Sequence, residues 1–163
     1  MTKQIYCKNS RKILQNKKTI ETTFKIKLLI KENIIEIEGD EEKEFIAMQA
    51  INAVDIGFSI NEAANLKYDD YVFEKILIKN ISKRRNLSQV RGRIIGEERK
   101  ALNNIEYLTD TSIVVHDNTV GIIGRSENVR KTAYALKKLI AGSKHANVYR
   151  YLEEEKAKER QEF

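Results

Sequence analysis

The chain has 163 residues, 30 of them Lys or Arg against 24 Asp or Glu, with 41% hydrophobic residues, one cysteine and no proline; this is the make-up of a globular protein of one or two domains. A single Cys7 and two histidines exclude a disulfide framework and a four-ligand zinc module. No apolar run nears the ~20 residues of a membrane span, and the N-terminus lacks a signal-peptide apolar region, so a cytoplasmic protein is expected.

Charge is unevenly placed. Residues 1–70 hold 11 basic and 12 acidic side chains, whereas residues 71–163 hold 19 and 12. The whole basic excess lies in the second part, which favours a polyanionic partner there.

The sequence also repeats. An offset of 85 residues aligns Ile20-Glu21 with Ile105-Glu106, Asn33 with Asn118, Ile37 with Ile122, Gly39 with Gly124, Glu42 with Glu127, Ala50 with Ala135 and Gly57 with Gly142, without a gap. Two copies of one module are expected, over residues 1–66 and 71–163.

In chain order, about twenty residues precede Ile20 and must hold a strand and a shortened helix pair. Lys25–Ile30 and Ile34–Glu38 read as strands, and Glu41–Ile56 as a helix closed by Gly57, with Asp40–Glu44 as its acidic first turn. Ser59–Leu66 has the pattern of a short capped linking helix. Tyr71–Lys79, rich in β-branched and aromatic residues, reads as a strand. Leu87, Val90, Ile94 and Ile95 recur at helical spacing, and Ala101, Leu102, Ile105 and Leu108 do so again, so two helices meet at Gly96. Ile113–Val115 and Val120–Ile123 form a hairpin across His116–Thr119. Ser126 stands at an N-cap position, and the helix it opens runs to Gly142. Ala146–Arg160 reads as a final charged helix. The second copy therefore has the order β-α-α-β-β-α.

The chemistry concentrates at the helix junction. The stretch from Arg91 to Lys100 reads RGRIIGEERK and places Gly92 and Gly96 among Arg91, Arg93, Arg99 and Lys100, with Lys83, Arg84 and Arg85 just upstream. Glycine allows close approach of another backbone, and the amides opening a helix point at an anion, so a phosphodiester fits this place. His116 and His145 have no nucleophile or carboxylate at a catalytic spacing, and no enzyme activity is expected. Tyr149-Arg150-Tyr151 suits either base stacking or docking of the last helix.

The order β-α-α-β-β-α with Gly96 between two helices resembles a type I KH domain, whose GxxG loop clamps the backbone of about four single-stranded nucleotides. More specifically, RGRIIGEERK, IEYLTDTSIVVHDNTVGIIG and HANVYRYLEEEK resemble the archaeal ribosomal-RNA-processing KH family known as Dim-two or partner of Nob-one. The resemblance runs from about Tyr71 to Lys156 and, more weakly, over the first copy. It implies an α+β fold of tandem KH domains, the first degenerate, with a terminal helix. It also implies an RNA-binding assembly factor for the 3′ region of small-subunit ribosomal RNA, with the Nob-one endonuclease and the α subunit of translation initiation factor two as partners.

The residues that the resemblance assigns to RNA are Arg84, Arg85, Arg91, Gly92, Arg93, Ile95, Gly96, Glu97, Glu98, Arg99, Lys100 and Val114. Arg91, Arg93, Arg99 and Lys100 fall on phosphates, and Ile95 and Val114 on an apolar groove for bases. No metal or cofactor is implied. One departure stands out: Arg99 takes the place of the second loop glycine. The alternative reading is a KH-derived protein scaffold that has lost RNA binding and recruits a nuclease or translation factor. The first copy has no glycine before Gly39 and so has no loop of this kind; a structural role suits it.

Overall fold

The computed structural model describes residues 2–161. Its chain divides into two compact units, 1–73 and 74–163.

The first unit holds β1 (Thr2–Tyr6), α1 (Ser10–Gln15), α2 (Lys17–Phe24), β2 (Lys27–Lys31), β3 (Ile34–Glu38) and α3 (Glu41–Asp55), followed by the short α4 (Ile60–Ala64). The sheet order is β1-β3-β2, antiparallel throughout. The helix pair is compressed to six and eight residues around Asn16, yet the module is complete. Alternation in β2 and β3 buries Leu28, Ile35 and Ile37 against Ile20 and Phe24 of α2 and Ala47, Ala50, Ile51 and Val54 of α3. The strand expected from Lys25 begins at Lys27, because Lys25 closes α2 in a left-handed conformation (φ 55°). Ser59 and Glu62 form the reciprocal capping box that opens α4.

From β4 (Tyr71–Leu77), whose first three residues fall before the 73/74 boundary, the second unit repeats the plan with α5 (Ile78–Ile81), α6 (Leu87–Ile95), α7 (Lys100–Thr109), β5 (Ser112–His116), β6 (Thr119–Arg125), α8 (Ser126–Ala141) and α9 (His145–Gln161). Its sheet order is β4-β6-β5. Val90, Ile94, Leu102, Ile105, Ile113, Ile122, Val129, Leu136 and Leu139 form one core, which Val148 and Leu152 of α9 complete. The strand expected to reach Lys79 stops at Leu77. There the Ile78 amide donates to the Asn118 carbonyl in the hairpin turn at 2.9 Å, and the chain coils inward to bury Ile78. Ser126 is the first residue of α8 rather than its cap; Arg125, with extended backbone, takes the cap position and no side chain caps the helix.

The 85-residue offset holds at the level of single atoms. Glu21 accepts the Leu28 amide at 2.9 Å, and Glu106 accepts the Ile113 amide at 2.9 Å. The left-handed residues Lys25, Glu32 and Gly57 recur as Asp110, Asp117 and Gly142. A Cβ on Gly39 would lie 2.8 Å from Ile26 Cγ2, and one on Gly124 would lie 2.8 Å from Thr111 Cγ2.

Thr111 cannot turn aside, because its hydroxyl is shared with Thr109 and Thr132 in a buried chain. Gly124→Ala is therefore expected to destabilise the second unit by about 1–3 kcal/mol, read from urea denaturation. Cys7 is buried, and burial together with its hydrogen bond to Asp55 pushes its thiol up to about 12. The folded thiol stays protonated where an unfolded one, with a pKa near ~8.5, ionises. This contribution to stability is intact below about pH 8.5 and is lost as the pH rises toward 12. Alkylation of Cys7 at pH 8 is expected only at the rate of unfolding.

Candidate nucleic-acid interface

Asn86 opens α6 by accepting the Gln89 amide at 3.3 Å. Val90 and Ile94, four residues apart, face the core, which leaves Ser88, Gln89 and Gly92 exposed. A Cβ on Gly92 would meet nothing within 4 Å. Packing within the chain does not require this glycine, although glycine costs a helix interior about 1 kcal/mol relative to alanine.

The helix ends at Gly96, with φ 77° and ψ 169°, a region that only glycine populates readily. A Cβ there would lie 2.8 Å from both the amide nitrogen and the Cβ of Ala101. The loop is thus seated on the first turn of α7. Glu98 (φ 52°) and Arg99 (φ 64°) follow, both left-handed. Among the described residues, Gly96, Glu98 and Arg99 are the only left-handed positions without a counterpart 85 residues earlier. Strain is concentrated at this junction.

Lys83, Arg84 and Arg85, in the loop before α6, are exposed, as are Glu97, Glu98, Arg99 and Lys100. The arginines nevertheless differ in what they hold. Arg91 donates to the Asp117 carbonyl at 3.1 Å and ties α6 to the hairpin turn. Arg93 donates to the carbonyls of Leu139 at 2.7 Å and of Ser143, satisfying the end of α8. Its own carbonyl meets His145 Nε2 at 2.8 Å, which anchors the start of α9. Arg99 lies across the top of α7. Its Nη1 contacts Asn103 Oδ1 and Glu106 Oε1, the latter at 2.5 Å, and its Nη2 donates to the Ile113 carbonyl at 2.8 Å.

Ile95 and Val115 are each half-buried and packed against the core. Ile113 and Val115 share the inward face of β5, and Val114 falls on the opposite face by the period of two. Val115, Asn103 and Glu106 were not singled out as site residues from sequence. Alternation from the buried Ile113 points to the first, and the repeated Ile-Glu pair points to the last. Tyr149 and Tyr151 pack against the core, and the Tyr151 ring lies 4.9 Å from that of Tyr134, so this segment docks α9. Among the described residues, no cluster of His, Cys, Asp and Glu could hold a metal ion, and no helix is long and apolar enough to cross a membrane.

Residues 72–157 match the family model described as the eukaryotic type KH-domain (KH-domain type I). The chain is 36% identical over 149 residues to the KH domain-containing protein MJ0443 of Methanocaldococcus jannaschii, covering 87% of this chain and 66% of that protein. It is 31% identical over 134 residues to the RNA-binding protein pno1 of Dictyostelium discoideum, covering 77% and 56%. The chain thus spans about two thirds of the one relative and just over half of the other. Among solved structures, Dim2p of Pyrococcus horikoshii OT3 superposes with a TM-score of 0.86 at 30% identity, over 94% of this chain and 99% of that one. A chain from the a/eIF2alpha-aDim2p-rRNA complex of the same organism gives 0.88 at 30% identity, over 97% and 95%. Both β-α-α-β-β-α units therefore belong to a KH fold, and the first lacks a left-handed loop between its helices.

Gly92→Ala is expected to stabilise the second unit by about 0.5–1 kcal/mol, and Gly96→Ala to destabilise it, in thermal denaturation of the two variants side by side.

Proposed function

Since this chain belongs to the KH-domain family that includes pno1 and Dim2p, we propose that it is a pre-ribosomal-RNA-processing factor that binds single-stranded RNA through its second unit. The observation that carries this reading is the loop 96–99. Among the described residues it holds the left-handed positions of the second copy that the first does not repeat, and it adjoins the exposed Lys100, while the exposed Lys83, Arg84 and Arg85 precede α6. Such strain persists where surrounding structure holds it, and it clusters at ligand clamps.

In this reading the RNA backbone runs over the exposed face of α6 at Gly92 and along the loop, with phosphates on Lys83, Arg84, Arg85 and Lys100. Bases lie against Ile95 and Val115. Arg91 and Arg93 shape the site instead, since their guanidinium groups are held by backbone carbonyls. The 3′ region of small-subunit ribosomal RNA is the proposed target; the support is the family resemblance and the rRNA in the complex of the Pyrococcus relative. The α subunit of translation initiation factor two is the proposed protein partner on the same ground. The Nob-one endonuclease is a proposed partner on the family resemblance alone. The first unit, with its linking helix, serves as a structural and protein-binding element.

The test is fluorescence anisotropy of a labelled single-stranded RNA from the 3′ end of small-subunit ribosomal RNA across a salt series. Wild type is expected to bind and to weaken with salt. Arg84→Ala and Lys100→Ala are each expected to weaken binding and to reduce the slope of log K against log salt by about 0.7. Gly92→Leu has room to fold and is expected to lose binding more than tenfold. A folded wild type that ignores RNA but captures the translation-factor subunit supports the protein-scaffold reading instead.

A further inference from the structure

The position of Arg99 conflicts with what its residue type suggests. A left-handed backbone between two helices suits glycine or asparagine, and an arginine there is strained. Its charge, moreover, is engaged within the chain. The Arg99 side chain, 43% exposed, meets the carboxylate of Glu106, whose side chain is 23% exposed, and also donates to the Ile113 carbonyl.

Ile113 lies on β5, an edge of the sheet, and is paired with Ile122. Its amide and carbonyl point away from β6, as their partners show: Glu106 Oε2 takes the amide and Arg99 Nη2 takes the carbonyl. The first copy separates the two roles. There Glu21 takes the Leu28 amide in the same way, but the residue 85 positions before Arg99 is Leu14, an exposed apolar side chain. The carboxylate–amide bond is therefore part of the fold, and the arginine bridge is an addition confined to the copy with the strained loop.

That bridge crosses from the loop to the edge of β5 at Ile113, two residues before the half-buried Val115. We propose that Arg99 is a self-occluding latch: in the free protein it closes the β5 edge at Ile113, and RNA entering the groove must displace it. The proposal rests on the RNA-binding reading and adds to it a regulatory contact. A site open only part of the time binds with an affinity reduced by the open fraction, so weakening the latch strengthens binding.

The test uses the full chain and the same labelled RNA, with Arg99→Gly, Glu106→Gln and the double variant. Arg99→Gly removes a positive charge and Glu106→Gln removes a negative one. General electrostatics would therefore move RNA affinity in opposite directions, whereas release of the latch moves both the same way. Each single variant is expected to bind about five- to tenfold tighter than wild type, and the double no tighter than the better single, because both open one contact. The salt slope of Arg99→Gly is expected to match wild type. Arg99→Asn, which also accommodates the left-handed backbone, repeats the measurement should the glycine variant unfold.

Weaker binding by Arg99→Gly with a slope shallower by about 0.7 makes Arg99 a phosphate contact and overturns the latch. Unchanged affinity overturns it too, while leaving RNA binding by the second unit intact. If neither wild type nor any variant binds, the RNA-binding reading fails and the latch falls with it.

Discussion

An edge strand leaves every second amide and carbonyl without a neighbouring strand, and both sheets of this protein meet that constraint with one glutamate. Glu21 and Glu106 each stand near the end of the second helix of their module and accept the amide of the second residue of the edge strand, Leu28 or Ile113. A hydrogen bond to a carboxylate contributes about 1.5–3 kcal/mol, and leaving a buried amide unpaired costs a similar amount. The bond also fixes how the helix lies against the strand, and the remaining repeated features fall in with that geometry. The chain leaves the helix through a left-handed residue, Lys25 or Asp110. The next residue, Ile26 or Thr111, then packs so closely on Gly39 or Gly124 that only glycine fits opposite.

The second unit places a loop of a different kind on this frame. Ten residues, 7–16, separate β1 from α2, while residues 78–99 separate β4 from α7. The extra length supplies α5, the basic segment before α6, and a loop whose Glu98 and Arg99 are both left-handed. Each such residue costs of order 1–2 kcal/mol. The Arg99–Glu106 pair, with the Ile113 carbonyl as a third partner, offsets part of that cost. The same glutamate that satisfies the edge strand thus holds the strained loop in place. Edge strand and loop share one carboxylate.

Charge alone describes this site poorly. The second part of the chain carries all the net positive charge, but its arginines divide into two groups. Arg93 ends α8 and anchors α9, and Arg91 steadies the hairpin turn. Such guanidinium groups act through shape, since a planar fork of donors satisfies carbonyls that would otherwise lack partners at a helix end. Lys83, Arg84 and Arg85 before α6 and Lys100 after the loop are exposed.

The sequence by itself determined the order of elements, the repeat, and the place of the loop. Each of these rests on local rules: apolar spacing sets helix or strand, and Gly57, Gly96 and Gly142 fall where the backbone must turn left-handed. The compressed helix pair of the first copy was bounded only by length, because short helices around Asn16 have too few turns to show a period. That Val115 and not Val114 shares the face of Ile113 is a matter of strand alternation, which is decided once Ile113 is known to be buried. Only the tertiary structure decided what each arginine does. The partners of Arg93 lie 46 and 50 residues along the chain, and the carbonyl that receives Arg99 lies 14 residues on. A guanidinium identical in sequence context is a phosphate ligand or an internal brace according to which carbonyls the folded chain brings within 3 Å of it, and sequence spacing does not encode that distance.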